Sequence, residues 1–179
     1  MCLIRASKEK AEDDLICYKI MVTLRDDVDE NGGKKADDDY SGCNFYTPFQ
    51  RKHVPLSIVE GKEPFRPDDK PTCVDVREGG LVINGGFIHS YAKFEDAMRD
   101  ARDLVINTLY YGEPRVCACV FECRIDKGDD YMLGKVALRH EDFYTDSGEL
   151  ATGYASLKLT FVKMVKTVRY IDLRETIKY

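Results

Sequence analysis

A chain of 179 residues that is 44% hydrophobic and 33% charged has the mixture of one soluble globular domain and is too apolar for a disordered one. Its net charge of −5 argues against binding nucleic acid through bulk phosphate attraction. No apolar run approaches the ~18–20 residues that cross a bilayer, and Met1 to Lys10 turns charged too early for a signal peptide, so the expected location is the cytoplasm.

Residues 1–14 mix Lys8, Lys10, Glu12, Asp13 and Asp14 and read as a polar N-terminal arm, with residues 15–179 as a single domain. Leu15 to Leu24 is rich in β-branched and aromatic residues and predicts a first strand. Alternation there separates Ile16, Tyr18, Ile20, Val22 and Leu24, expected to face the core, from Cys17, Lys19, Met21 and Thr23. An acidic loop at about 25–42 follows. Its run Asp37-Asp38-Asp39 lacks the alternating oxygen ligands and distant glutamate of an EF-hand, so no calcium loop is expected. Asn44 to Gln50 surrounds Pro48 with rings and predicts a turn or edge segment, in which Tyr46 and Phe49 either cover the core or wall a ligand. His53 to Val59 offers a short strand, and Glu60 to Thr72, with Pro64, Pro67 and Pro71, a connecting loop.

Gly79-Gly80 suggests a turn, and Gly85-Gly86 a bulge or the close approach of another backbone or a ligand. Beyond them Phe94, Ala97, Met98, Ala101, Leu104, Val105 and Thr108 recur at three and four residues, which predicts a helix over about 93–109 with one apolar face. Ser90 is the candidate N-cap, Glu95 and Asp96 sit near the positive end of the helix dipole, and Gly112 and Pro114 end the helix. Strands follow at Val116 to Ile125, Tyr131 to Leu138 and Tyr154 to Val165, separated by the turn Asp126 to Asp130 and the polar connection His140 to Gly153. This order predicts an α+β domain, a mostly antiparallel sheet or split barrel with one principal helix.

Seven cysteines cannot all pair within one chain, and without a secretion signal reduced thiols are expected. Cys117, Cys119 and Cys123 fall on one face of a strand with Phe121 and Ile125. Successive side chains on such a face are roughly 6–7 Å apart, too far for two thiolates on one tetrahedral zinc. They read as small buried apolar residues, and no metal site is expected.

The chemistry-bearing residues gather at His89 and Ser90, on opposite faces of a glycine-flanked strand. His89 reads either as a hydrogen-bonding group for a polar ligand or as a histidine satisfied inside the fold. The chain lacks the Gly-x-Ser-x-Gly elbow of a serine hydrolase, the phosphate-binding Gly-x-x-x-x-Gly-Lys and the dinucleotide Gly-x-Gly-x-x-Gly.

Gly86-Phe-Ile-His-Ser90 before an alanine-bearing helix, with a later strand closing in Ile125-Asp-Lys-Gly128, resembles a layout found in remote relatives of the ADP-ribosyltransferase fold. That resemblance implies an enzyme acting on NAD through Tyr18, His89, Ser90 and Glu149. A second resemblance covers most of the chain and is to uncharacterised small proteins of large DNA viruses and bacteriophages. It rests on the Met1-Cys-Leu start, Cys17-Tyr-Lys, Tyr46-Thr-Pro-Phe-Gln50, Ile88-His-Ser-Tyr, Cys123-Arg-Ile-Asp-Lys-Gly128 and Tyr154-Ala-Ser. Those proteins imply no activity, so the expected function is an accessory protein without complete catalytic machinery or cofactor. It would bind a small polar ligand or a protein partner through Tyr46, Phe49, Gln50, His89, Ser90 and Tyr154. The alternatives are the NAD-dependent enzyme and a structural component of a virion.

Overall fold

Valine, isoleucine, cysteine and aromatic residues crowd residues 15–24 and 116–125, and these two segments lie side by side as the longest ladder of one antiparallel sheet, from Leu15↔Ile125 to Leu24↔Val116. The structure is a computed structural model that describes residues 3–26, 31, 33, 35–36, 39–48, 51–67, 73–77, 80–83, 86–107, 115–137, 150–169 and 173. In chain order its elements are β1 (Leu3–Lys10), β2 (Leu15–Leu24), β3 (Phe45–Tyr46), β4 (His53–Val54), α1 (Leu56–Val59), β5 (Cys73–Arg77), β6 (Gly80–Ile83), β7 (Ile88–Tyr91), α2 (Phe94–Asn107), β8 (Val116–Ile125), β9 (Asp130–Ala137), β10 (Leu150–Ser156) and β11 (Thr160–Arg169). The sheet runs β11-β8-β2-β7-β10-β9-β1-β6-β5, with β3 and β4 attached beside β2.

This architecture corrects the expected class. The described residues form eleven antiparallel strands and two helices, one of them only four residues long, so the fold is sheet-dominated rather than α+β with a principal helix, and the ADP-ribosyltransferase-like variant of that expectation goes with it. The physical reason lies in the flanks. Residues 3–10 are polar yet hydrogen-bond between β9 and β6, and the glycine-bearing stretch before β7 supplies β5 and β6. The first of these strands was expected as an arm. Its buried residues Leu3 and Ala6 are three apart, which suits no regular strand, but the register against β9 slips by one residue between Ile4 and Ser7. Arg5 takes φ 52° in that bulge, and the extra residue turns both Leu3 and Ala6 into the core.

The centre of the sheet is buried on both faces. On one face α2 lays Ala97, Met98, Ala101, Leu104 and Val105 over Ile20, Val22, Tyr91, Ala118 and Val120, as its periodicity predicts. On the other, Tyr40, Phe45, Val54 and Phe65 cover Met21, Phe121 and Phe161, with rings meeting edge-on from Phe45 to Phe121 (5.7 Å) and from Phe121 to Phe161 (5.1 Å). Cys117, Cys119 and Cys123 belong to this second cluster and are fully buried. The expectation that only one side of Leu15–Leu24 faces a core is therefore corrected. Cys17, Met21 and Thr23 are as buried as Ile20 and Val22, while Ile16 and Leu24 at the strand's ends are exposed.

Candidate functional site

A charged residue in the middle of a sheet covered on both sides needs an explanation. Lys19 is the one charged residue of Leu15–Leu24, and it is 8% exposed. One edge of β2 is fully occupied by β8; along the other, β7 attaches at Tyr18↔Tyr91 and β3 at Val22↔Tyr46. Lys19 lies between those two attachments and donates from Nζ to the carbonyl oxygen of His89 at 2.8 Å, bridging the seam where the backbone ladder stops. Burial drives its pKa down to about 8; the thiols of Cys123 and Cys17 and the Asp100 carboxyl pull the other way.

Cross-strand partners share a face, so the register identifies its neighbours. Cys17, Lys19 and Met21 share theirs with Cys123, Ile88 and Ser90. Tyr154 is the partner of Ser90, Ser156 of Ile88, and Tyr131 of Ser156, which adds those three. Ser90 is 0% and Ser156 1% exposed, and neither Oγ has a hydrogen bond of good geometry, although the Cys17 thiol lies beside Ser90. Burial pushes the Cys17 thiol up to about 12 against the opposing pulls of Ser90 and Lys19. The rings of Tyr131 and Tyr154 meet edge-on at 5.5 Å and are half-buried, so they form the outward boundary of the cluster.

The expected site residues are brought together only in part. Ser90 and Tyr154 adjoin Lys19. Ser90 is not a helix cap, because it lies inside β7 and α2 begins at Phe94. His89 contributes its carbonyl; its buried side chain falls on the opposite face with Tyr18 and Tyr91. Tyr18 stacks edge-on with Phe94 at 5.7 Å there, and Tyr46, on the same face as Val22, meets His53 at 5.6 Å. Phe49, Gln50 and Glu149 lie outside the described residues. Lys19, Cys17, Tyr131 and Ser156 were not expected; the lone lysine in an otherwise uncharged strand was the available signal.

On the helix face, Tyr91 Oη donates to Asp100 Oδ2 at 2.6 Å. Burial raises the Asp100 carboxyl to about 6, with the Tyr91 hydrogen bond opposing. A raised carboxyl pKa means the folded state holds its proton longer than the unfolded chain. The associated stability is present below pH ~4 and is lost as pH rises through about 6, a change of about 3 kcal/mol. Tyr91→Phe leaves the buried carboxylate without its donor and is expected to cost a further ~1–3 kcal/mol at neutral pH and less near pH ~4. Denaturant titrations of both proteins at the two pH values check this, and an equal loss at each would show that Tyr91 matters only for packing.

Among the described residues no group of three or more His, Cys, Asp or Glu side chains is arranged to hold a metal ion, and no helix is long and apolar enough to cross a membrane. Comparison with known protein families, with curated proteins and with solved structures finds no match to this chain.

Proposed function

We propose that this is a cytoplasmic binding protein of the accessory viral or phage kind that its motifs resemble, and that its ligand is a small carboxylate held by Lys19, Ser90 and Ser156. The observation that carries this reading is a pair of buried hydroxyls without partners on the same face as a buried ammonium. A buried polar group left without a hydrogen bond costs about 1–3 kcal/mol, and alanine would fill either serine position without that cost. A carboxylate accepts hydrogen bonds from all three groups and neutralises the charge. Tyr131 and Tyr154, the half-buried residues of this face, are where we place the entry of the small molecule.

Thermal-shift and calorimetric titrations with acetate, propionate and their neutral amides test the reading. The carboxylates are expected to stabilise the protein, by about 2.7 kcal/mol at a hundredfold excess over Kd, and the amides are not. Combining Ser90→Ala with Ser156→Ala removes two unmet hydroxyls. The double variant is therefore expected to gain about 1 kcal/mol or more when ligand-free, while its affinity for acetate falls at least about tenfold. Acetate stabilisation that survives in the double variant, or no stabilisation by either carboxylate, removes the reading.

A further inference from the structure

Lysine and arginine both supply a positive charge, but only lysine loses its proton readily when buried. With the Lys19 pKa at about 8, about a tenth of the molecules carry a free amine at pH ~7, against well under a thousandth for an exposed lysine. The surroundings of that amine are suited to more than an ion pair. Continuing the Tyr18↔Tyr91 register puts Ser90 opposite Lys19. The side chain reaches past it to the carbonyl of His89, one residue nearer to Ile88 and its partner Ser156. The nitrogen thus sits at the seam, on a side chain that projects from the same face as both hydroxyls.

We infer that Lys19 captures a small 2-oxo acid as an imine, its amine bonding to the oxo carbon while Ser90 and Ser156 hold the neighbouring carboxylate. The inference rests on the carboxylate site proposed above and adds the carbonyl group as the second recognised feature. In the step, the nitrogen lone pair forms a C–N bond and the carbonyl π pair moves to oxygen. A proton passes from nitrogen to that oxygen, and the carbinolamine takes up a second proton and loses water as the C–O bond breaks. The product is a protonated imine, so the buried positive charge that faces the carboxylate is kept. No oxidant or reductant is consumed.

The test is incubation of the whole protein with glyoxylate or pyruvate and sodium cyanoborohydride, followed by intact-mass measurement and peptide mapping. One reduced adduct per chain is expected, at Lys19, formed at least about tenfold faster than at any exposed lysine, in line with the larger free-amine fraction. Lys19→Met abolishes it. The combined Ser90→Ala and Ser156→Ala variant, expected to fold at least as well as the parent, slows it about tenfold at subsaturating oxo acid. Adducts spread over exposed lysines with Lys19 unmodified, while acetate still stabilises the protein, would overturn the imine and leave the carboxylate site standing. Absence of both the Lys19 adduct and acetate stabilisation would overturn the two together.

Discussion

Between about pH 8 and about pH 10 the protein is expected to lose stability, and a Lys19→Met variant about 2 kcal/mol more than the parent. The cause is the set of thiols sealed between the sheet and its aromatic cover. Burial pushes Cys17 up to about 12 and Cys119 and Cys123 well above the ordinary range. An unfolded thiol releases its proton near pH ~8.5. These three groups therefore leave folding unopposed below that value, and their contribution is lost progressively as pH climbs toward the folded pKa. At pH ~10 the loss is about 2 kcal/mol for Cys17, and Cys119 and Cys123 act in the same direction. Lys19 acts in the opposite direction, because its folded pKa of about 8 lies below the ~10.4 of an unfolded lysine. Deprotonation relieves its burial cost and returns about 2 kcal/mol over the same interval. Guanidinium titrations followed by circular dichroism, under reductant and at stepped pH, give both slopes. A parent and a variant that lose stability in parallel would show that the amine is not buried as a charge at neutral pH. A parent whose midpoint does not move at all would show that burial does not hold the thiols neutral.

How much of this was legible follows from how each residue signals its place. The α2 face was legible, because Ala97, Met98, Ala101, Leu104 and Val105 repeat with the helix period and need only one buried side. Cys117, Cys119 and Cys123 were legible as core, since their alternation with Phe121 and Ile125 survives intact in β8. The strand β1 was not, because the bulge at Arg5 breaks the period by which strands are recognised. Nor was the role of Lys19. Period-two alternation assigns a lysine between Tyr18 and Ile20 to solvent, and only the cover built from the distant residues Tyr40, Phe45 and Phe65 turns that face into interior. Ser156 sits in Tyr154-Ala-Ser and attracted notice as part of a motif, but its lack of a partner is a property of the assembled β7, β10 and β9. Local pattern identifies elements well where one face decides, and poorly where both faces are filled by segments far away in sequence.

The same dependence on distant segments makes two glycines sensitive positions of the sheet. Gly134 of β9 and Gly153 of β10 are direct cross-strand partners. A Cβ on Gly134 would meet Leu3 Cγ at 2.7 Å and the Ile4 carbonyl oxygen at 2.8 Å, and one on Gly153 would meet Val136 Cγ2 and the Ser90 carbonyl oxygen, the latter at 2.9 Å. The bare backbone at this pair forms the slot that Leu3, fully buried, fills from β1. Glycine inside a strand weakens it unless such a close approach requires it. Combining Gly134→Ala with Gly153→Ala is expected to cost about 4 kcal/mol or more, at the upper end of overpacking, since two of the contacts are with backbone oxygens that cannot rotate away. For a domain whose total stability is ~5–15 kcal/mol, that is a large part of the margin. Leu3→Ala discriminates the cause. Alone it should cost about 2–5 kcal/mol as a cavity, but in the background of Gly134→Ala its cost should fall by ~1 kcal/mol or more, because the new methyl takes part of the vacated space. Strictly additive losses in that double-mutant cycle, measured by denaturant titration, would mean that Leu3 does not occupy the slot and that β1 does not close the sheet over β9 and β10.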